Sequence, residues 1–157
     1  MAVTFDLKNP VHLLATGFGS GLAPRAPGTF GTLAAIPFWL ALQMLSAPWY
    51  WAVVVAAFAL GVWVCGRTAR DLGVHDHGAL VWDEFVGLWL TLAGSPPTVV
   101  WIVIGFAIFR LLDIWKPWPI RWCDRRVHGG FGVMLDDALA GVIALILIKM
   151  LQHWVFI

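Results

Sequence analysis

The residues able to do chemistry in this chain are gathered in two places. One is the stretch from Phe109 to Gly141, FRLLDIWKPWPIRWCDRRVHGGFGVMLDDALAG. It sets Arg110, Asp113, Lys116, Arg121, Asp124, Arg125, Arg126, Asp136 and Asp137 between two apolar segments. The other is the pair Asp83-Glu84, upstream in equally apolar surroundings. Ionised carboxylates beside lipid-length apolar segments are costly, so they call for a function. Adjacent helical residues point about 100° apart, so one member of each pair can face a bundle centre while the other faces a loop. Arg110, Asp113 and Lys116 are a turn apart and share a helix face. Left alone, carboxylates gathered at one depth repel one another or protonate. A hard cation resolves this, and Mg²⁺ takes one or two carboxylates, several waters and a substrate phosphate. Lys116, held beside Pro117, suits a phosphate ligand or a stabiliser of developing charge. A single acid would be read as a structural partner for a cation such as Arg110; three acidic clusters are read as a metal and phosphate site.

Other chemistries lack their residues. A Cys-x5-Arg phosphatase loop is absent, because Cys65 meets Arg70 one position early and Cys123 meets Gly129. Tyr50 is the single tyrosine, and no serine stands in a nucleophile elbow. Metal-assisted attack on phosphorus, by water or by an aspartate, is what remains. His75-Asp76-His77 could ligate metal, or His77 could protonate a leaving group, as could His128. Residues 17–31, GFGSGLAPRAPGTFG, form a glycine-rich loop with Arg25 and with Thr29 as the cap of the next helix. Its amides suit an anion, although its spacing is not that of a nucleotide P-loop.

These groups must be positioned by an apolar frame. The chain has 157 residues, 61% hydrophobic and 12% charged, with mean hydropathy +0.83. A soluble domain carries roughly twice that charged fraction. We therefore expect a single membrane-embedded domain over residues 1–157, an all-α bundle of about five apolar segments. A net charge of +1 gives no field for nucleic acid, and two cysteines make neither a disulfide framework nor a zinc site. The first residues do not read as a signal peptide.

In chain order, Asn9 and Pro10 predict the start of a short interfacial helix. Residues 26–66 predict a helical hairpin turning near Ser46-Ala47-Pro48, with a kink at Pro37. A polar loop over 66–84 precedes a helix starting near Gly78, which places Asp83-Glu84 inside the bundle. Thr98–Trp115 is the next helix, 120–132 a basic loop, and Val133–Ile157 the last helix. Asp136-Asp137 then fall in its first turn or two, where the dipole favours negative charge, and Gly141 and Ala144 give a smooth packing face. Nine of ten Lys/Arg lie in residues 1–25, 66–84 or 110–126. The positive-inside rule puts these regions, and all the acids above, on the cytoplasmic side. Lys149 is expected to snorkel to the far interface. VWDEFVG and MLDDALA echo each other, which suggests that the acidic pairs face one another. Arg121, Arg125 and Arg126 read as orientation signals and anionic-lipid contacts.

GFGSGLAPRAPGTFGTLAAIPFW, HDHGALVWDEFVG and the 109–141 stretch together resemble the phosphatidylglycerophosphatase A family of bacterial membrane lipid phosphatases. The likeness runs in order over most of the chain. It implies Mg²⁺-dependent hydrolysis of phosphatidylglycerophosphate to phosphatidylglycerol and phosphate, in the bacterial inner membrane with the site facing the cytoplasm. The lipid substrate and the bilayer are the expected partners, and no obligate protein partner is inferred from the sequence. Carried onto this chain, the likeness suggests Glu84, Asp113 and Asp137 as Mg²⁺ ligands, with Asp83 and Asp136 as further ligands or catalytic acids. Lys116, Arg110, Arg25 and Thr29 would hold the phosphate, with His77 or His128 protonating the glycerol oxygen as a metal-activated water attacks. Leu88, where some relatives carry a polar residue, is left out of the site. Two rival readings are weighed. A channel would spread its acids through the membrane depth, and an anionic-lipid scaffold would leave the paired acids unexplained.

Overall fold

The computed structural model describes residues 4–74 and 77–155. His75 and Asp76, and with them the metal-binding reading of that pair, lie outside the described residues. Within these bounds the chain is all-helical: α1 (Pro10–Ala15), a 3-10 turn (Ser20–Leu22), α2 (Pro27–Leu42), α3 (Ala47–Asp71), α4 (Trp82–Thr91), α5 (Val99–Trp115), α6 (Ile120–Arg126) and α7 (Gly129–Val155).

The short helix α4 is the axis of the molecule. Eight of its ten residues are buried, and α7, α2, α3 and α5 all pack on it. A helix apolar on every side can only be stable when wrapped in this way. Its polar atoms are tied to its neighbours. Trp82 Nε1 donates to Ala57 O at 3.0 Å, Trp89 Nε1 to Ala35 O at 3.1 Å, and Tyr50 Oη to Trp89 O at 2.5 Å. Satisfied bonds of this kind remove the penalty of burying indole and phenol groups. Gly141 brings α7 against α4 so closely that a methyl group there would strike Gly87 O. The expected small-residue face is therefore present, with Ala144 fully buried one turn on.

Several expected boundaries move. α4 starts at Trp82, not Gly78, and its ten residues rise only about 15 Å, half a bilayer core. Gly78 to Val81 instead form a turn and irregular chain, with Val81 N–H donating to Ala15 O at 2.9 Å. The basic segment expected as loop contains α6, because Ile120 and Cys123 turn inward at helical spacing while the charged residues face out. α7 starts at Gly129, so Asp136 and Asp137 are its eighth and ninth residues and lie beyond the first turn. The dipole that was expected to favour them there does not reach that far. α2 begins at Pro27 with Ala26 as its left-handed N-cap, so Thr29 lies inside the helix rather than capping it. The hairpin turn near residue 46, the N-cap by Asn9 and the start of α5 after Thr98 match the expectation. Pro37 is accommodated within a continuous α2.

α3 and α7, of 25 and 27 residues, are long and apolar enough to cross a membrane. α2 and α5, of 16 and 17 residues, fall short of the roughly 20 a full crossing needs. Of the expected apolar segments, α3 and α7 alone among the described residues have the length and apolarity to cross a membrane. Their outer faces, and that of α5, leave large side chains such as Val55, Val103, Leu111, Ile114 and Ile146 more than half exposed.

Candidate active site

The beginnings of α2, α4 and α7 and the end of α5 converge on one cavity of about 280 Å³. It is lined by Asp83, Glu84, Asp113, Asp136 and Asp137, by the cations Arg110 and Lys116, and by His77. The two acidic pairs that echo each other in sequence therefore face the same space.

Each pair is divided in the same manner. Glu84 is taken by Arg110, whose Nη1 donates to Glu84 Oε1 at 2.6 Å and Oε2 at 2.7 Å, and to Asp113 Oδ2 at 2.6 Å. Asp136 is taken by Lys116, whose Nζ donates to Asp136 Oδ2 and to Asp124 Oδ1, both at 2.5 Å. The other members, Asp83 and Asp137, have no cation partner among the described residues. Asp83 accepts the Glu84 N–H at 3.0 Å. Asp137 Oδ2 and Asp136 Oδ1 are buried with no hydrogen-bond partner.

Local sequence explains these placements. α5 ends at Lys116, which adopts a left-handed conformation (φ 45°) and donates its N–H to Leu112 O at 2.8 Å. Left-handed backbone costs a residue with a Cβ about 1 kcal/mol or more, and here it aims the lysine between two carboxylates. Burial works against the ammonium charge, but the Asp124 and Asp136 bonds and charges outweigh it and hold the Lys116 pKa above the ordinary lysine value. Lys116 is thus a permanent cation at physiological pH. On the opposite wall, Gly28 opens α2. A methyl group there would strike Glu84 Oε1 and stand 3.1 Å from both terminal nitrogens of Arg110. One turn on, Thr32 Oγ1 donates to Glu84 Oε2 at 2.7 Å.

Not every expected residue arrives. Arg25 is exposed and, like Thr29, lies outside the cavity lining. The glycine loop meets the site through Gly28, with Ala26 and Pro27, instead. His77 lines the cavity and its Nδ1 accepts the Ala79 N–H at 3.2 Å. His128 lines a separate, smaller recess of about 60 Å³ with Asp124 and Asp136. Thr32 and Gly28 are not among the residues that the sequence picks out, and Asp124 stands among them with no role assigned. The signal for Thr32 was its place four residues after Gly28, on the same helix face as the loop's contact. Nothing in the spacing of Asp124 showed that α6 would fold it back onto Lys116.

Among the described residues, no three carboxylate, thiol or imidazole groups stand ready as a metal cage. The residues nonetheless fit a hard cation. Five carboxylates face two cations in one cavity, and two carboxylate oxygens are buried without donors. Mg²⁺ keeps most of its waters and needs only one or two protein carboxylates, so a closed cage is not required.

The chain was compared with known proteins. A family model described as phosphatidylglycerophosphatase A matches residues 13–152. A phosphatidylglycerophosphatase A of Escherichia coli (strain K12) is 56% identical over 150 residues, covering 94% of this chain and 87% of that protein. One of Haemophilus influenzae is 47% identical over 151 residues, covering 95% and 93%. A Bacteroides thetaiotaomicron protein, provisionally named a phosphatidylinositol-3-phosphatase, is 40% identical over 151 residues, covering 91% and 93%. No solved structure matches the chain. The family model spans nearly all of the chain and two named members of that family are 56% and 47% identical to it, so the chain belongs to the phosphatidylglycerophosphatase A family and is a lipid phosphatase.

Proposed function

We propose that the cavity hydrolyses the terminal phosphomonoester of phosphatidylglycerophosphate, releasing phosphatidylglycerol for phospholipid synthesis, with Mg²⁺ as cofactor. The observation that carries this is the cavity's charge. Asp83, Glu84, Asp113, Asp136 and Asp137 stand against Arg110 and Lys116 in an otherwise apolar molecule. Five carboxyl groups against two cations are more acids than those cations can pair, and a divalent cation would favour their ionised form.

Of the expected ligands Glu84, Asp113 and Asp137, the first two are bound by Arg110, so Asp137 would hold the cation with Asp83 and the open Oδ1 of Asp136, and Glu84 and Asp113 would stand beside them. When bound, it supplies Lewis-acid polarisation of the phosphoryl oxygens and a more acidic water. The chain's own groups do the rest. Arg110 and Lys116 present fixed positive charge to the phosphoryl oxygens, and charge-assisted bonds of this kind strengthen as charge develops on them. Thr32 holds Glu84 in place. Because His77 Nδ1 accepts the Ala79 N–H, its ring proton sits on Nε2, which can donate to the leaving glycerol oxygen.

The same reading sets the protein in the bacterial inner membrane, with the cavity toward the cytoplasm and the bilayer as its solvent. The length of α3 and α7 and the apolar outer faces support this, as does the position of Lys149. Its Nζ donates to Gly94 O at 2.7 Å at the end remote from the cavity. The test is phosphate release from phosphatidylglycerophosphate in neutral detergent micelles by purified protein. Activity should vanish in excess chelator and return with Mg²⁺. Undiminished turnover in chelator removes the metal, and turnover of phosphatidylinositol 3-phosphate in preference removes the assigned substrate.

A further inference from the structure

We propose that a groove beside the cavity binds the internal phosphodiester of the lipid substrate and so selects a substrate that carries two phosphates. This rests on the phosphatase reading above. The groove, of about 480 Å³, is larger than the cavity itself and lies between the end of α5 and α6. Trp115, Trp118 and Trp122 make its apolar lining, and Arg121, Arg125 and Arg126 its charge.

α6 sorts its side chains by face. Ile120 and Cys123 are buried against the bundle. Asp124 turns to Lys116 and the cavity. Arg121, Trp122, Arg125 and Arg126, at spacings of one turn, line the groove. Two of the arginines are held in position. Arg121 Nη2 donates to Trp115 O at 3.1 Å, and the Arg126 guanidinium lies over the Trp122 ring, 5.8 Å from its centroid. None of the three pairs with a carboxylate among the described residues, whereas Arg67, Arg110 and Lys116 all do. Three uncompensated guanidinium groups above an indole floor complement a ligand with an anionic head and an apolar body. Trp115 and Trp118, 65% and 82% exposed, are placed as interfacial aromatics are.

The groove and the cavity share one wall. Lys116 lines the cavity, while its chain neighbours Trp115 and Pro117 line the groove. The two sites are thus adjacent along the chain at residues 115–117, and a single ligand would span them there. In phosphatidylglycerophosphate a monoester and a diester phosphate are separated by the three carbons of one glycerol. The cavity takes the monoester, and the groove takes the diester and the start of the glyceride.

The experiment is steady-state phosphate release in neutral detergent micelles containing phosphatidylglycerophosphate as the sole anionic lipid. Removing the charges with Arg121→Gln, Arg125→Gln and Arg126→Gln together should raise KM about tenfold while kcat changes less than about threefold, since the loss is of uniform binding. The double variant Arg125→Gln/Arg126→Gln keeps the Arg121–Trp115 bond and guards against a folding defect; it should show the same split. Replacing those two arginines by lysine should restore part of the lost affinity. An unchanged KM with normal wild-type turnover overturns the groove and leaves the phosphatase reading intact. So does a KM effect that emerges only after phosphatidylglycerol is added to the micelles, which would assign the groove to a neighbouring lipid. A wild type that releases no phosphate removes both readings.

Discussion

The two acidic pairs look alike in sequence but are supported differently. Asp83-Glu84 opens a ten-residue helix, where free backbone N–H groups and the positive end of the dipole are at hand. Asp83 accepts one of those N–H groups, and Glu84 is held by Arg110 and by Thr32. Asp136-Asp137 lie two turns into a 27-residue helix, where every nearby N–H is already engaged. Lys116 serves Asp136, while Asp137 is 3% exposed and has an oxygen with no donor. Similar acidic pairs thus end differently: Asp83 keeps a backbone N–H donor where Asp137 keeps an oxygen with none, and neither meets a cation among the described residues. A carboxylate oxygen buried without a donor is expensive, and the proposed cation would match both its charge and its place.

The largest effect expected from this contrast is at Asp137. Asp137→Asn should lower kcat about a thousandfold, whereas Asp83→Asn should lower it about a hundredfold or less. Equal losses for the two variants, measured as phosphate release under saturating substrate, would break the asymmetry. Lys116→Met leaves Asp136 without its cation and takes a positive charge from the phosphate, so a loss of about a hundredfold is expected. An activity within a few-fold of wild type would make Lys116 a structural partner of Asp124 and Asp136 and nothing more. Thr32→Val removes one hydroxyl bond to Glu84. About 1 kcal/mol, or fivefold in kcat/KM, is the expected cost, and a larger one would show that Glu84 depends on α2 more than on Arg110.

The smallest effect is on the pH dependence of stability. The Lys116 pKa is raised in the folded protein by its two carboxylate partners against the opposing effect of burial. Its contribution to stability is therefore complete below the unfolded lysine pKa, roughly 10.5, and declines only as pH rises through the higher folded value. The difference in thermal midpoint between wild type and Lys116→Met should stay constant from about pH 7 to 9 and narrow only above about pH 10.5. A difference that closes below pH 9 would mean that Lys116 is not the group held by those bonds.

Much of the site was legible because its signal is local. Charge inside an apolar chain is conspicuous, and the residues Asp83, Glu84, Arg110, Asp113, Lys116, Asp136 and Asp137 were all found from it. The resemblance to a phosphatase family was carried by the same stretches. The errors have a common physical origin. A glycine-rich loop before a helix suits an anion and points to Thr29 and Arg25, but Ala26 takes the left-handed cap and α2 begins three residues earlier than a cap at Thr29 needs. The basic segment read as loop is α6, because two inward positions, Ile120 and Cys123, are enough to seat a two-turn helix on a neighbouring bundle. A membrane crossing would need α4 to start near Gly78. A helix wrapped by four others has no such length to satisfy.

The sequence by itself determined the apolar frame, the chemical class of the site and the members of its two acidic pairs, since each depends on residue type and short spacing. Only the tertiary structure decided which member of each pair meets a cation. That choice depends on the approach of α5 and α6 to α4 and α7, which brings Arg110 to Glu84 and turns Lys116 between Asp124 and Asp136. Adjacent carboxylates on a helix diverge by about 100° whatever their neighbours are, so no local pattern distinguishes the satisfied oxygen from the one left open for a ligand.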